Sequence, residues 1–303
     1  MSTLKPCPGC RNLVRANEEF CPYCARRLRA ENGVGGWYRK LRVKIRNSPF
    51  IATQIIIGII ALMFLVQFIA DLALPKEFHD TQRATGLFSL GIVNSLTYVR
   101  LGSNFHPYVL FFHQYWRFLT SCFLHFGILH VLFNSYAFWN LGRLAERLWG
   151  SRQVFATFIL TGVVGSAVSF GWHVLATNPV NSAGASGAIC GVLGLLLGAF
   201  YRNKYHVGER LGSELVKWAV YILVFGLVAG ADNAAHIGGM LSGAVLGYLL
   251  PPTTHSKNPG REMKIWYGLA VLALIVLLVG FGFMIEFYLQ GPELAEWRPR
   301  RLR

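Results

Sequence analysis

IATQIIIGIIALMFLVQFIADLAL, residues 51–74, holds a single charged side chain, Asp71, in 24 positions. A run this apolar is long enough to cross a bilayer as a helix, which takes about 20 residues. Similar blocks recur near 117–140, 152–176, 186–201, 214–230, 234–250 and 265–289, so seven spans are expected. The fourth and fifth are short, and a short helix can end inside a protein-lined cavity. The whole composition agrees. Hydrophobic residues make up 53% and charged residues only 14%, against about 25% charged in soluble domains. The predicted fold class is an all-α polytopic membrane protein.

Outside the apolar blocks the chain is basic, with a net charge of +15. In a membrane protein such an excess reports orientation before it suggests nucleic acid, and no nucleic-acid partner is expected. Eleven Lys and Arg fall in residues 1–50, which predicts a cytosolic N-terminus. The segments 142–152, 201–217 and 251–264 are basic and fall inside, whereas 177–182 and 230–234 carry no Lys or Arg and fall outside. The tail GPELAEWRPRRLR disobeys: it would lie outside yet carries Arg298, Arg300, Arg301 and Arg303. Either the last span does not cross, or the first six fix the topology before it is made. The first apolar block is too long for a signal h-region, so no cleavable signal peptide is expected.

Cys7, Cys10, Cys21 and Cys24 stand as C-x2-C-x10-C-x2-C. Each pair can place two thiolates on one tight turn, and two such turns complete a tetrahedral zinc site. Disulfides are the alternative, but the cytosol is reducing. A structural Zn2+ in a ribbon over residues 1–27 is the expectation, with metal binding supplying much of its folding energy. A protein partner for this ribbon is possible. Residues 28–49 read as a basic linker, residues 50–251 as the membrane core, and residues 252–303 as the seventh span and a basic tail. Cys122 and Cys190 lie in apolar spans and read as small packing residues.

Three polar clusters interrupt the spans, where polar groups are costly. The second span contains His125, His130 and Asn134. On a continuous helix, positions five apart point roughly 140° away from each other, which argues against a metal shared by His125 and His130. His130 and Asn134 are four apart and share a face. They suit oxyanion donation, or hydrogen bonding between helices. The fourth span begins AGASGAIC, with Ser186 between Gly184 and Gly187, at a helix start where backbone N–H groups are unpaired. Gly184, Gly187, Gly191 and Gly194 form a flat face, which fits close helix packing or the exposure of a nucleophile. The sixth span carries His236 one turn before Gly239, with Gly239, Gly243 and Gly247 four apart. Two glycine-faced helices could bring Ser186 and His236 within the 2.6–3.2 Å that a nucleophile–base pair needs. Asp232 falls in the preceding loop, so the pattern is a dyad.

The motifs GASG around Ser186, AHIGG around His236 and HFGILHVLFN around His130 resemble, in order and placement, the rhomboid intramembrane serine proteases. The resemblance covers about residues 50–250. It implies a six-helix rhomboid core, with one extra C-terminal transmembrane helix and the zinc ribbon as additions. It implies Ser186 as nucleophile and His236 as base. His130, Asn134 and the Ser186 N–H would hold the oxyanion, and Gly184, Gly187, Gly239, Gly243 and His125 would support the site. Trp116-Arg117 resembles the element closing the family's first outer loop, here about 75–115, and Glu146-Arg147 resembles a structural pair at the inner end of the second span. Two positions depart from some relatives: Ser121 stands for a histidine and Cys190 for a tyrosine. The implied substrates are transmembrane-anchored proteins met in lipid, cut from a multipass cell-membrane protein whose active site opens to the extracytosolic side. A proteolytically silent relative that binds or escorts clients is the alternative. A transporter would need charge pairs within spans and an internal repeat, and neither is present.

Overall fold

The computed structural model describes residues 4–7, 12–15, 50–74, 94–177, 180–202, 209–252 and 258–290. Its contacts divide the chain into two units, Met1–Ile51 and Ala52–Arg303. In the first, β1 (Leu4–Pro6) pairs antiparallel with β2 (Leu13–Arg15), Lys5 opposite Val14. Cys7 ends the first strand buried, its N–H donating to Asn12 O at 2.9 Å. Cys10, Cys21 and Cys24 lie outside the described residues. Among the described residues no cluster of His, Cys, Asp and Glu could hold a metal.

The second unit is helical. It runs α1 (Ile51–Leu72), α2 (Ser95–Arg100), β3 (Asn104–Phe105), α3 (His106–Phe112), α4 (Arg117–Thr120), a 3-10 turn (Ser121–Phe123), α5 (Ile128–Trp149), α6 (Ser151–Leu175), β4 (Asn181–Ser182), α7 (Ser186–Arg202), α8 (Glu209–Ala229), α9 (Asn233–Leu249) and α10 (Pro259–Gln290). Among the described residues four helices, α1, α6, α8 and α10, are long and apolar enough to cross a membrane. The segment 117–149 passes that test only as a pair bent by 94°. The chain is thus a multipass membrane protein. α7 and α9 have 17 residues each, about 25 Å of helix at 1.5 Å per residue, shorter than the hydrocarbon core.

The continuous second span expected over 117–140 is not what forms. The chain leaves helical geometry at Leu124, which is extended, and begins α5 only at Ile128. A break at membrane depth frees backbone groups that must be satisfied by protein. Gln67, the one amide on the buried stripe of α1, accepts from His125 N–H at 2.9 Å and donates to His125 O at 3.2 Å. Tyr98 Oη donates to Phe126 O at 2.9 Å. Burial, and then the nearby Asp71, push the Tyr98 phenol above its ordinary range, so it remains a donor.

At the other end of α5, Glu146 faces the first turn of α1. Its two carboxylate oxygens accept from Ala52 N–H and Thr53 N–H, both at 2.9 Å, and one also accepts from the Thr53 hydroxyl. A carboxylate on unpaired helix N–H groups satisfies both their hydrogen bonds and the helix dipole.

α7 is the centre of the bundle, buried along almost its whole length. α9 lies against it backbone to backbone. A Cβ on Gly239 would stand 2.0 Å from Gly187 O, one on Gly243 1.9 Å from Gly191 O, and one on Gly247 2.0 Å from Leu195 O. The reciprocal glycines do the same, since a Cβ on Gly194 would stand 2.0 Å from Met240 O. α8 is held more lightly, with Leu215 and Ala219 buried while Val224, Leu227 and Val228 stay exposed.

Arg117 organises the segment between α1 and α5. It is wholly buried, donating to Val99 O at 2.7 Å and Ser103 O at 3.1 Å, with its guanidinium over Tyr108, Trp116 and Phe287. Phe287 belongs to α10, so the last helix takes part in closing this segment. Pairing of β3 with β4 then ties the strand before Ser186 to this segment.

Candidate active site

Ser186 is the first residue of α7, and the backbone before it is held from three sides. Val180 N–H donates to His106 Nδ1 at 2.9 Å, β4 pairs with β3, and Gly184 N–H donates to Ser121 O at 2.9 Å. Gly184 has φ 140°, and a Cβ there would meet the His130 ring at 2.8 Å. Both facts favour glycine at this position. The approach brings His130 to the start of α7.

His236 is buried one turn into α9, its Nε2 2.8 Å from Ser186 Oγ. Its Nδ1 is 3.0 Å from Asn233 Oδ1. Asp232, the nearest carboxylate on this helix, is turned elsewhere. It accepts from Ala235 N–H at 3.1 Å as the helix cap and from the Ser169 hydroxyl, and lies 3.7 Å from His173 Nε2.

His130 stacks on Phe126 and accepts at Nδ1 from Phe126 N–H at 3.4 Å. A neutral imidazole that accepts at Nδ1 carries its proton on Nε2, which is the nitrogen facing Gly184. Asn134 lies one turn on, and its Nδ2 is buried with no hydrogen-bond partner among the described residues. It would be 3.7 Å from a Gly184 Cβ. A buried amide donor without an acceptor is costly in a folded protein, and here it faces the loop before Ser186. A cavity of ≈ 600 Å³ adjoins these groups, lined by Ser186, His130, Ser121, Trp172 and residues 180–184 and 229–235.

One expectation needs correcting. His125 is not on the helix of His130. It sits in the break before α5, so helical spacing does not apply, and the two rings meet edge to face at 5.0 Å. His125 Nε2 accepts from Ala185 N–H at 3.5 Å, reaching the serine loop from the other side. Cys122 and Cys190 are buried packing residues. Ser121 contributes through its carbonyl, and its hydroxyl lies 3.3 Å from Ser166 Oγ.

Sequence reasoning missed Gln67 and Asn233. Gln67 could have been found as an amide in the middle of an apolar span. Asn233 could have been found from its place three residues before His236, on the same helix face.

Residues 113–253 match the family described as Rhomboid domain. The chain is 36% identical over 173 residues to "Rhomboid protease GluP" of Bacillus subtilis, covering 55% of this chain and 31% of that protein. It is 27% identical over 270 residues to "RHOMBOID-like protein 2" of Arabidopsis thaliana, covering 80% and 83%. It is 26% identical over 189 residues to "Inactive RHOMBOID-like protein 8" of the same plant, covering 57% and 53%. These matches support the rhomboid family for this chain, a family that includes intramembrane serine proteases and inactive relatives. The chain spans about a third of the Bacillus protein's length.

Proposed function

We propose that this chain is an intramembrane serine endopeptidase that cleaves transmembrane-anchored proteins with a Ser186–His236 dyad. The observation that carries the reading is the 2.8 Å contact between Ser186 Oγ and His236 Nε2, made beside the unpartnered amide of Asn134.

The Ser186 hydroxyl donates to His236 Nε2. As Oγ bonds to the substrate's carbonyl carbon, its proton passes to Nε2 and the carbonyl π pair moves onto oxygen. That oxyanion accepts from His130 Nε2–H, Asn134 Nδ2–H and the Ser186 N–H at the start of α7. Such preorganised donors act most strongly where charge develops. The C–N bond then breaks, and the imidazolium gives its proton to the leaving nitrogen. Water, deprotonated by His236, hydrolyses the ester to the acid and frees Ser186. A substrate helix has its peptide groups paired and shielded, so cleavage favours segments with Gly, Pro or small polar residues that unwind.

In this reading the chain makes six spans plus one, α7 and α9 being short spans that share the cavity. The N-terminus is cytosolic and the cavity opens to the opposite side. Cys7, Cys10, Cys21 and Cys24 hold a structural zinc; Cys7 at the end of a β-hairpin suits a metal knuckle. Metal analysis of purified protein should find one zinc per chain, lost in Cys7→Ser, and no zinc in the wild type would refute this part.

The main test is labelling of detergent-purified protein with a fluorophosphonate, followed by peptide mapping. A single adduct on Ser186, absent in Ser186→Ala and His236→Ala, is expected. One relative carries "inactive" in its name, so a silent client-binding protein is the competing reading. Absence of any adduct, while an active rhomboid labels alongside, would favour it.

A further inference from the structure

The imidazole of His236 is not left to choose its own tautomer. Its Nδ1 faces Asn233 Oδ1 at 3.0 Å, while Asn233 Nδ2 donates to Leu223 O on α8 at 3.0 Å. The carbonyl of Leu223 can only accept, so the amide must present its nitrogen to it and its oxygen to His236. That oxygen can only accept, so the proton sits on Nδ1 and the lone pair of Nε2 is directed at the Ser186 hydroxyl. The reverse flip would set two carbonyl oxygens against each other and two N–H groups against the histidine.

Space for this amide is made by a second helix. A Cβ on Gly226 would stand 2.2 Å from Asn233 Oδ1. The short connection is tied as well, Ala231 N–H donating to Gly226 O at 2.8 Å and Asn233 N–H to Ala231 O at 2.9 Å. α8 therefore both accepts from the amide and leaves room for it.

We infer that Asn233 is a positioning residue which, anchored on the Leu223 carbonyl and admitted by Gly226, fixes His236 in the tautomer that can accept the Ser186 proton. This rests on the dyad reading above and adds a third, uncharged member to it. The groups facing His236 are Ser186 from α7, His130 from α5, and Asp232 and Asn233 from its own helix. Asp232 is engaged by Ser169 and Ala235, so Asn233 is the direct partner of Nδ1.

The test uses the full-length protein in detergent and a fluorophosphonate, measuring the inactivation rate constant and the probe's apparent affinity separately, across pH. Asn233→Leu leaves Nδ1–H without an acceptor and allows the unproductive tautomer. The rate constant should fall about 10- to 100-fold with the affinity unchanged. Gly226→Ala, on a different helix, should reproduce that loss, while Gly268→Ala, with nothing within 4 Å of its Cβ, should not. Asn233→Asp keeps an acceptor at Nδ1 and adds a negative charge. Although the carboxylate can no longer donate to Leu223 O, this variant should lose less rate than Asn233→Leu and move the acid limb of the profile to higher pH, because a carboxylate stabilises the imidazolium. A purely structural asparagine would not move that limb. If Asn233→Leu does not fold, Gly226→Ala and Asn233→Asp decide the matter. A wild type that labels on Ser186, with Asn233→Leu or Gly226→Ala equally fast, would overturn this inference alone. A wild type with no Ser186 adduct would overturn the dyad reading and this inference with it.

Discussion

Replacing Gly243 by alanine puts a methyl carbon 1.9 Å from Gly191 O, where ordinary contact begins at 3.4 Å. The neighbour is backbone in the middle of a buried helix, so no side chain can swing away. Relief requires α7 and α9 to separate locally by about 1.5 Å, the difference between those two distances. His236 lies two turns up α9 from this point and Ser186 about one and a half turns up α7. If only a third of the displacement reaches them, the Nε2–Oγ separation of 2.8 Å passes roughly 3.2 Å, the limit of a useful hydrogen bond. Misplacement of about 1 Å in a catalytic constellation can cost about 100-fold in rate, and overpacking itself destabilises by about 1–3 kcal/mol. Gly243→Ala should therefore lower the fluorophosphonate labelling rate by about 10- to 100-fold, with Tm depressed but a cooperative transition preserved. Gly171→Ala, whose Cβ meets nothing within 4 Å, is the matched control on α6. Wild-type labelling by Gly243→Ala would show that the helices can part there without disturbing the dyad, and would refute the argument that glycine contact sets the Ser–His distance.

Asn134→Ala removes a donor that has no other task; once a cleaved substrate is in hand, kcat should fall about 100- to 1000-fold with KM little changed. A KM effect alone would instead make it a substrate-binding residue. His106 lies in the segment between α1 and α5, its imidazole held below its ordinary pKa by burial and then by His173, against a smaller opposing influence of Asp232. Its neutral form is the folded one, so its contribution to stability is complete above about pH 6.5 and declines as pH falls from there toward the lowered value. Tm should drop over that acid window, and His106→Gln should flatten the drop; an unchanged slope would exclude His106 as its source. Gln67→Leu leaves the His125 N–H and C=O unpaired at membrane depth. It should destabilise by about 1–3 kcal/mol with the Ser186 adduct still forming, and an unchanged Tm would show that the break finds other partners.

Much of this architecture was legible because its signals are local. Long apolar blocks announce spans, and glycines every fourth residue announce a face that another backbone can touch. Ser186 and His236 stood on two such faces, and the structure places their side chains in hydrogen-bond contact. The break at 124–127 was not legible for the opposite reason. SCFLHFGILH holds no proline and no run of turn residues, and its departure from helix depends on Gln67 and Tyr98, 58 and 28 positions away from their backbone partners. The fourth-span face could be read from spacing, whereas the position of His125 could not, because helical spacing presumes a helix that is not there. Cys10, Cys21 and Cys24, expected from spacing to join Cys7 on a metal, lie outside the described residues.

The buried polar residues away from the Ser186–His236 contact share a physical cause. Inside a membrane protein a side-chain carboxylate or amide need not seek another side chain, because the breaks and ends of helices offer unpaired backbone groups in a medium without water. Glu146 serves the first turn of α1, Gln67 serves the backbone of His125, and Asp232 serves the first turn of α9. Asn233 differs in having one hand on a backbone carbonyl and the other on an imidazole. That division is what makes an uncharged amide suitable beside His236. An aspartate in its place would repel Leu223 O, whereas an amide satisfies both neighbours at once and carries no charge into the bilayer. Asp232 was the residue to weigh when only charge was considered; weighing hydrogen-bond capacity instead points one position further on.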